Sequence, residues 1–389
     1  MSVSDKNGCS LDLEYDGEFP VRMTTPLGYG IRFAFKDGRL ASLEDDMGRC
    51  VQYRYENGLL AEVVHMDGGI THYAYTGDGY LERPTDQTGL SYLTNAYDAE
   101  GRVVLQTLAN GDTYRAEYDD RKRQTSMEYS RYPGKTVYIY DEKMAVTKVL
   151  HPDGTEEAFG YDARNNRVMA AGRTGAVTRW EYDERGHLVK EIRPEGLETE
   201  YRYDGAGNLA AVSDNGGRGR ELSYDICHNL ILRREKVSEG EWAQERFTWD
   251  AMGRLTGEED GEGHLTRYCY EGMSAYPCRT VYADGGELLC GYDRLGRRLW
   301  EEDAAGRREY AYNRNGWQTM ERDGEGNETH RLYDGAGRMT ALYSPAQWQA
   351  GNGKRTEYRY DFLDRLEETI HSDGSHEKQF LDGEGTLPL

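Results

Sequence analysis

An aromatic residue followed by an acidic or polar one returns about every 21 residues along the chain. The pairs are Tyr15-Asp16, Phe35-Lys36, Tyr55-Glu56, Tyr75-Thr76, Tyr97-Asp98, Tyr118-Asp119, Tyr140-Asp141, Tyr161-Asp162, Tyr182-Asp183, Tyr203-Asp204, Tyr224-Asp225, Trp249-Asp250, Tyr270-Glu271, Tyr292-Asp293, Tyr312-Asn313, Tyr333-Asp334 and Tyr360-Asp361, with a degenerate copy at Leu381-Asp382. Such a period means that one small supersecondary unit is stacked many times. Two intervals are long, at 25 and 27 residues, and their insertions near 238–242 and 344–353 are expected in loops. The others lie between 20 and 22, so the 389 residues read as one array (1–14 lead-in, 15–389 repeats) without a linker between globular domains.

The unit is legible in residues 197–213. Leu197, Thr199, Tyr201 and Tyr203 alternate with Glu198, Glu200 and Arg202, which is the period of a strand. Asp204-Gly205-Ala206-Gly207 follows. An Asp at the first turn position accepts backbone hydrogen bonds, and a Gly three residues on takes φ > 0, which suits a type I turn with a glycine bulge. Residues 208–213 then return as a second strand, and Asp214-Asn215-Gly216-Gly217 is the opposite turn. Asp-x-x-Gly recurs at Asp98, Asp183, Asp250, Asp293 and Asp334. Lys122, Met144, His228 and Asp364 stand where Gly is expected and must meet a φ > 0 cost or use another loop. Eighteen units of two strands predict an all-β chain: a continuous antiparallel meander of about 36 strands, coiled by strand twist into a spiral sheet. Equivalent tyrosines would form rows that pack sideways while their hydroxyls stay wet.

Composition narrows the function. The hydrophobic share is 37%, low for a globular chain, but 31 tyrosines argue against disorder. A net charge of −22 disfavours nucleic acid and anionic lipid as partners. No window is apolar enough for a spanning helix, so no membrane insertion is expected, and residues 1–16 show no Sec-type signal. The six cysteines (Cys9, Cys50, Cys227, Cys269, Cys278 and Cys290) form no CxxC pair and read as incidental thiols.

Tyr97-Asp98-Ala99-Glu100-Gly101-Arg102-Val103, Trp249-Asp250-Ala251-Met252-Gly253-Arg254-Leu255, Tyr292-Asp293-Arg294-Leu295-Gly296-Arg297 and Tyr333-Asp334-Gly335-Ala336-Gly337-Arg338-Met339 resemble the YD or Rhs repeat. That family includes bacterial Rhs polymorphic toxins, the C component of insecticidal toxin complexes, wall-associated bacterial proteins and the teneurins. The resemblance implies a spiralling sheet forming a partial or complete hollow β-shell. In the toxins it encloses a C-terminal toxic domain. The family's toxins also carry an Asp-Pro-rich segment with an aspartyl autoprotease, and no Asp-Pro dipeptide occurs here. The chain is therefore expected to be a bare stretch of shell.

Sharper chemistry finds little footing. Asp45-Asp46, Glu258-Glu259-Asp260 and Glu301-Glu302-Asp303 are carboxylate clusters, but 70 acidic residues produce such pairs by chance. His65 and His72, and His371 and His376, lack metal-ligand spacing, and Phe380 stands where His376-Glu377 would need a second His. Asp323, Glu325 and Asn327 alternate like a calcium loop, but Glu328 replaces the glycine. In Gly216-Gly217-Arg218-Gly219-Arg220, Arg220 stands where a calcium nonapeptide needs Asp, and Gly28-Tyr29-Gly30 is not a phosphate loop. Arg102, Arg254, Arg297 and Arg338 share one repeat position and are expected to pair across strands with acidic residues of adjacent units; a charged lining for cargo is the alternative. The expectation is a structural, non-enzymatic shell segment with no catalytic, cofactor-binding or metal residues. Its partner would be a polypeptide cargo, such as a toxin segment, or missing repeats of a longer shell. The alternative is a secreted or cell-surface interaction module binding glycan or protein. The family context points to delivery by a specialised route.

Overall fold

The computed structural model describes residues 1–4, 10–25, 28–361 and 364–379. Cys9, Phe380 and the Leu381-Asp382 copy lie outside them. Among the described residues there are 36 strands, each antiparallel to its sequence neighbours, in sheets of nine and 27 strands. The meander is interrupted once, between Leu81–Thr85 and Leu93–Tyr97. Pro84 lies in the strand that ends the first sheet. A proline has no N–H for a ladder, so it belongs at an edge or a bulge. Pro20 and Pro277 sit beside register shifts for the same reason. The chain divides into two compact units, one of residues 1–94, 108–110 and 266–389 and the other of residues 95–107 and 111–265.

The central repeats show why this sequence folds this way. Strand Glu198–Tyr203 pairs with Leu209–Asp214, with Tyr201 opposite Val212 and Tyr203 opposite Leu209. The Gly207 amide donates to the Asp204 carbonyl, and the Asp204 amide donates to the Asn208 carbonyl. Gly207 has φ +90°, so the expected glycine-bulge turn is formed. A second bulge follows at once, between the Arg202 and Tyr203 rungs. It recurs in front of the repeat aromatic in Tyr161, Tyr182, Tyr224 and Tyr333. Bulges increase the local right-handed twist, and here one recurs from unit to unit, although the Tyr118 strand pairs without it.

Where Gly is replaced, Met144, His228 and Asp364 adopt φ of 62°, 63° and 61°. At the fourth such turn it is Arg123, not Lys122, that takes φ > 0, because the Lys122 amide is held by the Asp119 carboxylate. The insertion at 238–242 is not a loop. It lengthens two strands, Leu230–Ser238 and Glu241–Trp249, to nine residues each. The insertion at 344–353 holds a short helix, Pro345–Ala350, with a capping box between Ser344 and Gln347 and Gly351 as its left-handed C-cap. Trp348 of this helix stacks on His330 at 3.5 Å.

Little of the fold is core. Among the described residues the buried apolar side chains are Val63, Val149, Cys290 and Ala341. Most others are half-buried on a single sheet, so stability must come from contacts along the array.

Candidate functional site: the repeat turn and an apolar cavity

The repeat Asp forms a three-point clamp. Asp98 Oδ1 accepts from the Glu100 amide (3.0 Å) and the Arg102 amide (2.8 Å), and Oδ2 accepts from Arg102 Nε (2.8 Å). Asp250 does the same with Met252 and Arg254, and Asp293 with Leu295 and Arg297. Where the fourth residue after Asp is Asn, as at Asn166, Asn208 and Asn229, its side-chain amide takes the place of the guanidinium. These donors hold the Asp98 and Asp204 carboxyls below their ordinary value; for Asp98 the Arg102 amide contributes most, for Asp204 the Asn208 side chain.

The first partner of Arg102, Arg254, Arg297 and Arg338 is therefore the Asp of their own turn, four residues back, not an acid of an adjacent unit. The reason is geometric: a tight turn places Nε and carboxylate face to face, whereas a cross-strand partner must reach along the sheet. Contact with the next unit is made as well. The Arg102 guanidinium lies 4.5 Å from the Tyr118 ring centre and 3.0 Å from Asp120, and Arg297 lies 4.9 Å from the Tyr312 ring. In other units His187 stacks on Tyr203 at 4.5 Å and Trp317 packs on Tyr333 at 5.5 Å.

In several repeats the tyrosine hydroxyl is held by a backbone carbonyl rather than left to water. Tyr118 donates to the Val103 carbonyl, Tyr161 to Val146, Tyr203 to Leu188 and Tyr333 to Gln318, each 15 residues back at 2.8–3.0 Å. Trp249 replaces the phenol with its indole N–H, donating to Leu230 at 2.7 Å. The bulge beside the tyrosine breaks the ladder there and leaves a strand carbonyl that the next unit's hydroxyl satisfies. In these repeats the Asp clamp, Arg or its substitute, and the next tyrosine form a ladder.

Within the unit holding residues 1–94 and 266–389, the chain meets itself some 250 residues on. Asn315 donates to the Asp67 carboxylate at 2.7 Å, and Arg314 reaches the Gly48 and Met66 carbonyls at 3.4 and 3.5 Å. Beside these contacts lies a cavity of 610 Å3. Met23, Ile31 and Met47 line one wall, and Met273, Tyr276 and Leu295 the other. Nothing in the repeat pattern points to it, because its walls come from turns that are far apart in sequence.

A model of the RHS repeat matches residues 161–199 and, one repeat later, 182–220. Solved structures extend the likeness. A chain of the TcdB2-TccC3-Cdc42 crystal structure is matched over 99% of this chain, with TM-score 0.71 and 13% identity. A chain of the TcdB2-TccC3 crystal structure is matched over 99%, with TM-score 0.67 and 15% identity. Residues 161–220 carry RHS repeats, and the fold of the whole chain is that of these structures. The Photorhabdus luminescens Tc holotoxin pore structure matches with TM-score 0.56, 14% identity and 98% coverage. This chain spans 30%, 28% and 25% of those three chains. No curated protein sequence matches it.

In this array the carboxylate clusters serve the turns and sheet faces. Asp45 clamps its own turn through the Met47 and Arg49 amides and Arg49 Nε, and Asp46 pairs with Arg22 at 3.0 Å. Asp260 clamps the turn before His264, while Glu259 pairs with Arg246 at 3.3 Å. Glu301 accepts from Tyr310 at 2.8 Å and pairs with Arg308 and Arg298. Asp323, Glu325 and Asn327 are a repeat turn too, with Asp323 accepting both Asn327 donors at 2.9 Å. Gly216 to Arg220 straddle the opposite turn, where the Arg218 amide donates to Asp214. His65 meets Thr71, His72 meets Glu62, His371 meets Glu377 and His376 meets Glu368. Among the described residues no three His, Cys, Asp or Glu side chains gather as metal ligands would, and no helix is long and apolar enough to cross a membrane.

Proposed function

We propose that this Rhs array is a non-enzymatic structural wall that encloses or presents a polypeptide. The observation that carries the reading is the fold match over 99% of its length to a stretch of TcdB2-TccC3. Another solved form of that protein is described as lacking a hypervariable C-terminal region, so a variable segment accompanies a like fold there. The physical basis in this chain is a thin sheet whose stability lies in its ladder of turns. A wall of that kind leaves its faces free for weak contacts with a polypeptide of variable sequence. The repeat Asp and Arg residues act as its fasteners and take no part in chemistry.

Exposed Tyr15, Tyr80, Tyr132 and Tyr282 favour a second reading, in which the array is an interaction module for glycan or protein. Limited proteolysis separates the two. The tagged chain is purified with whatever polypeptide accompanies it, in cis or in trans, and treated with trypsin before and after unfolding in urea. Encapsulation predicts a segment that resists trypsin while the repeats are folded and is digested once they unfold. Digestion of that segment at the same rate in both states overturns it. Saturable binding of a glycan without any protected segment supports the interaction module.

A further inference from the structure

The cavity wall holds two thiols that the register places face to face. Strand Pro277–Val281 pairs with Glu287–Tyr292 through Val281↔Glu287, Thr280↔Leu288 and Arg279↔Leu289. Continued one step past the last of these pairs, the same register sets Cys278 opposite Cys290. Burial alternates as one shared face requires: Arg279 is exposed and pairs with Glu287, whereas Thr280 and Cys290 are among the most buried residues, at 8% and 6% exposure. Cys278 and Cys290 both line the 610 Å3 cavity, so both are reachable through it. Both are thiols in this structure.

We propose that Cys278 and Cys290 form a redox-controlled disulfide, a cross-strand staple in the wall of the cavity. Opposed residues of an antiparallel pair have Cα atoms about 4.5–5.5 Å apart, inside the range of about 4.4–6.8 Å that a disulfide spans. Cys278 sits at the bulge between the Cys269 and Tyr270 rungs, where the backbone is freer to adjust. Its Sγ lies 3.4 Å from the Cys269 carbonyl oxygen and turns about χ1 to meet Cys290. The oxidant is a low-molecular-weight disulfide such as glutathione disulfide. The Cys278 thiolate attacks it and expels one glutathione thiolate. The Cys290 thiolate then attacks the Cys278 sulfur of the mixed disulfide and expels the second. Two protons leave the protein thiols and two electrons pass to glutathione, so the exchange balances. Cys269 is the built-in control. It lies opposite Arg279, on the other face, and has no thiol across from it.

The test uses the full chain, reduced and then equilibrated in glutathione buffers of increasing oxidising strength. Free thiols are blocked with N-ethylmaleimide under denaturing conditions, and tryptic peptides are read by mass spectrometry. The expected result is two fewer blocked cysteines than the six of the reduced chain, with the mass of two hydrogens lost. Peptides 268–279 and 280–294 become linked. The link persists in Cys269→Ser and disappears in Cys278→Ser and Cys290→Ser. Hydrogen exchange of wild type then shows greater protection of Thr280 and Leu289 when oxidised, reversed by dithiothreitol. Six blocked cysteines at every potential, a link that vanishes in Cys269→Ser, or a link only between two copies of the chain overturns the proposal.

Discussion

The first hairpins and the central repeats solve the same problem with different chemistry. The hairpin between Gly30–Lys36 and Arg39–Asp45 turns through Asp37-Gly38, with φ of 51° and 75°. The next, between Cys50–Glu56 and Leu59–Val64, turns through Asn57-Gly58, with φ of 50° and 86°. Both central residues are left-handed, as in the two-residue type I′ turn that matches strand twist. The central repeats instead use the longer Asp-x-x-Gly turn and its carboxylate clamp. The difference explains the spacing, which is 20 residues among the first aromatics and 21 or 22 through most of the central array. A two-residue loop carries its information in backbone propensity. The clamped turn carries it in hydrogen bonds and also presents Arg, Asn or His to the next unit. The carboxylate clamp therefore belongs to the longer turn, whereas side-chain contacts to the next unit also occur at the two-residue turns, where Arg39 lies 5.7 Å from the Tyr55 ring and Tyr75 donates to the Leu60 carbonyl at 2.8 Å.

Removing a clamp should cost the longer turn most. Asp293→Ala strips the Leu295 and Arg297 amides and Arg297 Nε of their acceptor. A loss of about 2–4 kcal/mol is expected, read as a lower urea midpoint and as faster hydrogen exchange at Leu295 and Arg297. An unchanged midpoint would mean that the turn is set by backbone propensity alone.

Acid should separate the two turn types next. The Asp162 and Asp204 carboxyls lie below the ordinary 3.8, chiefly because the Asn166 and Asn208 side chains donate to them. The Asp153 carboxyl is lowered to about 2, first by the Thr155 hydroxyl and amide and then by Arg173. A carboxyl depressed in the folded state stabilises fully above its unfolded pKa, and that contribution is lost as pH falls through the folded one. Protection at Thr155 is expected to fall as the pH drops from 3.8 through about 2, and protection at Asn166 and Asn208 to fall as the pH drops below 3.8. The Asn57-Gly58 turn, built without a carboxylate, should keep its protection over the same range.

Two smaller substitutions test the backbone side of the contrast. Asn57→Ala forces a poor left-handed residue into the two-residue turn and should cost about 1 kcal/mol. Met144→Gly relieves the same conformation in a clamped turn whose Asp141 carboxylate still holds the Lys143 and Ala145 amides. It should gain about 0.5–1 kcal/mol in denaturant unfolding. A gain at Asn57→Ala, or a loss at Met144→Gly, would show that these turns are not limited by φ.

Much of the architecture was written in the chain because the interactions that build it are short in sequence. Strand alternation, the Asp that opens each turn and the Gly that closes it all lie within one unit of about 21 residues, and repetition multiplies a weak local signal. Even the helix at Pro345–Ala350 had its cue in Ser344-Pro345 and Gln347, although its single turn is too short to show a periodicity. Choices between geometrically competing partners needed the folded chain. The repeat arginines had many acids in reach on paper, and only the turn's curvature selects the one four residues back. The tyrosine hydroxyls found carbonyls that a bulge had freed. Cys278 and Cys290 become opposed only once the register of their hairpin is set. The contact of Asn315 with Asp67, and the cavity near it, depend on how the chain meets itself about 250 residues later. That approach sums many small twists, and no single repeat encodes it.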